Sequence, residues 1–170
     1  GNLESTVVVL RAGEGNLVSG NTYGGVNGAG TANIVRGNKI GTNAAGTAAI
    51  GNGGGISLYG SGHIVGGATA GARNVVSGNP GGGFYLSGSG HVILGNYVGV
   101  VAAGTGALGN GSYGLRADTV DSVTVGGYID IGWYDMEGGG ANAGLGVTAD
   151  DASADPALMA VASANGAQSS

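Results

Sequence analysis

The chain contains no cysteine, two prolines, one tryptophan and one phenylalanine, and only 9% of its 170 residues are charged. Without cysteine, a disulfide framework and any thiolate zinc or redox site are excluded. Sparse charge with a net of −5 gives no basic footprint for DNA or RNA, and the few aromatic rings leave little for bases to stack on. No run of about 18 apolar residues occurs, so no membrane insertion is expected. No basic-then-apolar leader opens the chain, and Gly1 in place of Met is what a processed or excised piece would show.

The most informative absence is internal: residues 15 to 117 contain neither Asp nor Glu. Glycoside hydrolysis needs a pair of carboxylates across the scissile bond, and calcium sites need oxygen-rich ligands. Arg36, Lys39, Arg73 and Arg116 occupy that stretch without a partner acid, so they read as solvated surface groups rather than a catalytic set. The Ser-Gly-His steps ending at His63 and His91 lack an acidic orienting residue nearby, and strings such as "GNGGG" are not followed by the βαβ context of a phosphate loop. A non-enzymatic chain with no cofactor and no metal is therefore expected.

Glycine, by contrast, is abundant: 42 residues, about three times the usual share. It follows no every-third-residue period, which excludes collagen, and 42% hydrophobic content is too high for a disordered linker. At an offset of 58, residues 16–53 align without a gap on 74–111, with 19 of 38 positions identical. A finer unit of 28 to 31 residues lies inside it, marked by Val26, Ile56, Phe84 and Leu115, each followed eight residues on by Ile34, Ile64, Val92 and Val123. Strands this short, with no helical period between them, can only pair with their counterparts one unit along. The expected fold is all-β: a single-stranded parallel β-helix, or solenoid, of about four to five coils, with glycine at the bends.

The phrases "RNVVSGN", "GNKIGTNAAGTAAIGNGG" and "GNYVGVVAAGTGALGNG" resemble the repeats of bacterial secreted and surface proteins with parallel β-helix repeats. The resemblance covers roughly residues 16 to 127 and implies a right-handed helix, an extracellular or cell-surface location and no single activity. Asn43 and Val101 stand where the acidic form of that repeat has Asp, which removes the carboxylates a loop calcium site would use.

Columns follow from the repeat. Val26, Ile56, Phe84 and Leu115 face the core, because their neighbours Asn27, Ser57, Tyr85 and Arg116 are mostly polar. Ile34, Ile64, Val92 and Val123 are turned outward, since Arg36 shares the face of Ile34, and form a candidate assembly stripe; the alternative keeps Ile34 in the core with Arg36 beyond the bend. Asn21, Asn52, Asn79 and Asn110 are expected to stack as a structural amide ladder. Asn33, His63, His91 and Ser122 form a polar column that lacks the ligands for zinc.

Beyond Gly127 the repeat decays, though Leu145, 30 residues after Leu115, leaves room for a fifth coil. Asp130, Trp133, Tyr134, Asp135 and Glu137 gather acids and aromatics, either as a sugar- or cation-binding patch or as a solvated terminal coil. Residues 1–148 are assigned to the solenoid and 149–170 to a cap or tail, with a short helix at 156–165 between Asp155 as N-cap and Gly166. Charge is polarised along the axis: residues 15–117 carry four positive charges and no negative, 118–170 eight negative and no positive. That polarity, and "STVVVL" beginning as a strand without a polar cap, suit head-to-tail contact between solenoid ends. Two functions are compatible: a non-catalytic structural module of a surface protein, stalk, adhesin or self-assembling filament, which associates with itself or with adjoining β-helix domains, or a carbohydrate-binding or polysaccharide-degrading β-helix.

Overall fold

The computed structural model describes residues 7–8, 15–118, 123–126 and 134–135. They form strands β1 (Val7–Val8), β2 (Leu17–Val18), β3 (Gly24–Thr31), β4 (Ile34–Val35), β5 (Lys39–Ile40), β6 (Gly54–Ser61) and β7 (Ile64–Gly66). The series continues with β8 (Val75–Val76), β9 (Phe84–Ser89), β10 (His91–Leu94), β11 (Tyr97–Val98), β12 (Leu115–Asp118), β13 (Val123–Gly126) and β14 (Tyr134–Asp135). A single 3₁₀ turn, Ala70–Ala72, is the helical content among the described residues. The expected helix at 156–165 and the boundary at residue 148 lie outside them.

Every ladder between these strands is parallel. They make three sheets: sheet A in the order β1-β4-β7-β10-β13, sheet B β11-β8-β5-β2 and sheet C β14-β12-β9-β6-β3. From β1 to β13 the chain visits the three sheets in rotation, so each circuit lays one strand beside its predecessor in every sheet. This is a parallel β-solenoid, as the repeat requires.

The core is built from like positions stacked in register. Val26, Ile56, Phe84 and Leu115 align along sheet C, and a second inward column, Gly28, Leu58, Leu86 and Ala117, runs beside it. Val35, Val65 and Ile93 from sheet A and Ile40, Val76 and Val98 from sheet B close the same apolar cluster. Parallel strands gain by this arrangement, because β-branched and leucine side chains from successive coils fill one another's space.

The 58-residue period is a two-coil period with a structural cause. Residues 41–53 and 99–114, which join sheet B to sheet C, carry loops closed by antiparallel bridges, Thr42 to Ala49 and Val100 to Ala107. The coil between them turns from β8 to β9 in seven residues, 77–83, and places its insertion, with the 3₁₀ turn, between β7 and β8 instead. The two loops therefore meet across the intervening coil, where the Ala102 N–H donates to the Gly46 carbonyl at 2.8 Å.

At the corner from sheet C to sheet A the backbone takes positive φ. Gly62 (φ 66°) and Gly90 (φ 67°) supply it in two coils, but Ala32 (φ 55°) supplies it in the first. An L-residue in this region is strained by its Cβ, so the first coil carries a local cost that the other two avoid.

Two expectations about register need correction. Val92 pairs with Thr124, and Val123 pairs with His91, so Val123 is not the fourth member of the Ile34, Ile64, Val92 column. The step from sheet C to sheet A grows by one residue between these coils, since Leu115 still pairs with Phe84. The partner of Leu115 on the next level is Tyr134, not Leu145.

Candidate functional site

Each corner of a solenoid interrupts the strand ladders and leaves backbone donors to satisfy. Carboxamides do this here. At the corner before sheet C, the backbone N–H and Nδ2 of Asn21 donate to Oδ1 of Asn52 at 3.1 and 2.8 Å. Asn52 donates in the same way to Asn79 at 3.0 and 3.1 Å, and Asn79 to Asn110 at 3.0 and 3.1 Å. The second proton of each inner amide reaches a carbonyl of an earlier coil, Val18 for Asn52, Ile40 for Asn79 and Val76 for Asn110.

A second ladder, absent from the sequence reading, stands on the opposite side of sheet B. Asn16 donates to Asn38 (3.3 and 3.2 Å), Asn38 to Asn74 (both 3.0 Å) and Asn74 to Asn96 (3.2 and 2.8 Å). Its signal was present: an Asn immediately precedes each of β2, β5, β8 and β11. Asn38, Asn52, Asn74, Asn79 and Asn96 are all buried. Together the two ladders bracket sheet B and lock each coil to the next.

The third polar column lies at the start of sheet A. The Asn33 N–H donates to His63 Nδ1 at 3.1 Å, and His63 Nε2 lies 3.1 Å from the Tyr59 carbonyl. A carbonyl only accepts, so His63 donates from Nε2 to Tyr59 and accepts at Nδ1 from Asn33. His91 is stacked on it, ring centroids 5.0 Å apart and planes 7° from parallel. Both rings are buried, and neither nitrogen of His91 meets a partner in hydrogen-bonding geometry. Burial lowers the pKa of His91, the neighbouring His63 lowers it further, and the backbone of Ser87 opposes both. Ser122 lies outside the described residues. Among those described, no three His, Cys, Asp or Glu side chains come together.

The surface carries two further features. Ile34, Ile64 and Val92 are half-buried and alternate with fully inward Val35, Val65 and Ile93, which turns the stripe outward. Beside it, Arg36 Nε donates to the Gly66 carbonyl at 2.9 Å. Arg73 Nε donates to the Gly95 carbonyl at 3.0 Å while its guanidinium lies 4.0 Å over the Tyr97 ring. These two arginines are thus coil-to-coil staples, Arg36 on the exposed surface as expected from sequence and Arg73 partly buried; a fork of N–H donors can reach corner carbonyls that strand pairing leaves open.

The outer face of sheet C aligns Asn27, Ser57, Tyr85 and Arg116 in one column and Ala29, Tyr59 and Ser87 in the next. Tyr59 and Tyr85 approach to 5.5 Å between ring centroids, and Arg116 lies 6.0 Å from the Tyr85 ring. Asp135 takes the register position next to Arg116, and Tyr134 the one next to Leu115. Two members of the acid and aromatic patch are therefore on the same sheet as this face; Asp130, Trp133 and Glu137 lie outside the described residues.

The columns thus divide into buried ladders that hold coils together and an outer face of tyrosine and arginine. No family model matches this chain, and no curated protein and no solved structure matches it either.

Proposed function

We propose that this chain is a non-catalytic structural module, a rigid solenoid segment of an extracellular stalk, adhesin or self-assembling filament. The observation that carries the reading is the pair of carboxamide ladders running in one direction through successive coils. Buried polar groups in this arrangement serve coil-to-coil cohesion, and the stability of such an array grows with each added neighbour. The surface location rests on the resemblance of its repeats to those of bacterial surface proteins. Negative-stain electron microscopy over a concentration series tests the assembly: rods or fibres with a regular axial repeat support it, and single small particles at every concentration overturn it.

A second reading, a carbohydrate-binding β-helix, is favoured by the Tyr59 and Tyr85 rings on the outer face of sheet C with Arg116 beside them. Amphipathic rings on a flat sheet suit the apolar faces of sugars, with hydroxyl and guanidinium groups alongside for orientation. Titration of the protein with neutral and acidic polysaccharides, read by tyrosine fluorescence and by release of reducing ends, tests it. Failure of Tyr59→Ala to weaken any binding seen would remove this face from consideration.

A further inference from the structure

We infer that Tyr59 and Tyr85 are a covalent cross-linking site, whose rings couple to dityrosine under a peroxide-driven one-electron oxidant and fasten one coil to the next. The inference stands on the register of sheet C and is independent of both functional readings above. Ser57 pairs with Tyr85 and Tyr59 with Ser87, so the two tyrosines are diagonal neighbours on the adjacent strands β6 and β9. Both occupy outward positions, since Ile56, Leu58, Phe84 and Leu86, which alternate with them, are buried. Their ring centroids are 5.5 Å apart, with planes tilted by 48°. Tyr59 is 48% exposed and Tyr85 half-buried, which opens the pair to a small oxidant and leaves Tyr59 room to turn onto its neighbour.

The chain has no cysteine, so no disulfide fastens its coils, and tyrosine coupling reaches a covalent link by other chemistry. Each phenol gives up one hydrogen atom, as a proton and an electron. The two ring radicals form a carbon–carbon bond between the positions beside their hydroxyls, and the ring protons move to the oxygens to restore aromaticity. One hydrogen peroxide takes up both electrons and both protons and leaves as two waters. Holding the rings side by side makes the coupling intramolecular, which favours it over collision between molecules. Tyr97 lacks this geometry: it belongs to β11 in sheet B, with the Arg73 guanidinium 4.0 Å over its ring. The bond closes residues 59–85 into a loop that contains β7 and β8, one full circuit of the solenoid. A clip across a circuit removes loop-closure entropy from the unfolded chain.

The test is oxidation of the full chain in dilute solution with hydrogen peroxide and a haem peroxidase, with far-UV circular dichroism as the fold control. The monomer is expected to lose the mass of two hydrogen atoms and to gain dityrosine fluorescence. After denaturation and trypsin digestion, peptides 40–73 and 74–116 should stay joined; Tyr59 is the single tyrosine of the first, and fragmentation should place the bond on Tyr85 in the second. Tyr59→Phe and Tyr85→Phe each remove only a hydroxyl and should lower the yield about tenfold or more with an unchanged spectrum, whereas Tyr97→Phe should leave it intact. The cross-linked monomer should melt at a higher temperature than the unmodified chain. A bond on Tyr97 or Tyr113, coupling only between molecules, or a monomer of unchanged mass overturns the site. A cross-linked monomer that melts with the unmodified chain overturns the fastening.

Discussion

The imidazole rings of His63 and His91 lie one coil apart, 5.0 Å between centroids and 7° from parallel, inside the solenoid wall. The pair sits where a third amide ladder would run, and Asn33 occupies the same column in the preceding coil. A positive charge on His91 is disfavoured there, by burial first and by the adjacent ring second.

This makes the fold acid-sensitive in a definite direction. The pKa of His91 is lowered from 6.5 in the folded chain, so the unfolded chain takes up a proton first as pH falls. Stability is then fully present above about pH 6.5 and falls below it, towards the lowered folded value, by up to about 1.4 kcal/mol per pH unit for this one proton. Denaturant midpoints measured between pH 8 and 5 should show that decline, and His91→Asn should flatten it. An unchanged slope in the variant would assign the acid sensitivity to other groups.

Phe84 is fully buried in the sheet C column between Ile56 and Leu115. Phe84→Ala should cost about 3 to 5 kcal/mol through lost transfer energy and a cavity that stacked coils cannot collapse around. Urea denaturation followed by circular dichroism reads this directly, and a shift near zero would contradict the inward assignment.

Asn79 is the best single probe of the ladders. Its Oδ1 accepts from Asn52, and its Nδ2 faces the Ile40 and Ser77 carbonyls and the Asn110 Oδ1. Asn79→Ala leaves two donors of Asn52 unsatisfied and should lose about 2 to 4 kcal/mol. Asn79→Asp keeps the shape but sets a carboxylate oxygen against three acceptors, so it should be the worse variant at neutral pH. Protonation turns that oxygen into a donor; the deficit of Asn79→Asp relative to wild type should therefore shrink as pH drops through the carboxyl range, which thermal melts at pH 7 and 4 can check.

Ala32 offers a stabilising change. It holds φ 55° at a corner where Gly62 and Gly90 stand in the next two coils. Ala32→Gly should stabilise by about 0.5 to 1 kcal/mol, the relief of the Cβ strain less the extra freedom gained by the unfolded chain. Gly62→Ala should lose about 1 kcal/mol from φ alone, since the nearest atom to an added Cβ is the Ala32 nitrogen at 4.0 Å. Calorimetric melting temperatures that move in the same direction for both variants would contradict this account.

Sequence alone was sufficient for the solenoid, for the Val26, Ile56, Phe84, Leu115 column and for the Asn21, Asn52, Asn79, Asn110 ladder. These rest on identity between stacked positions, and like residues recur wherever each coil repeats one local environment. Tertiary structure decided the rest. The second ladder steps by 22, 36 and 22 residues, because loops of different length enter at different corners of alternate coils; the 58-residue offset relates Asn16 to Asn74 and Asn38 to Asn96, but no single one-coil offset connects neighbouring members. For the same reason Val123 slipped one register position and Tyr134, not Leu145, took the place beside Leu115. The roles of Arg36 and Arg73 were equally hidden, since the carbonyls they bind, Gly66 and Gly95, are near only after the coils have stacked. Residue pattern fixes which positions want to be inside; loop length, integrated around each turn, fixes which of them meet.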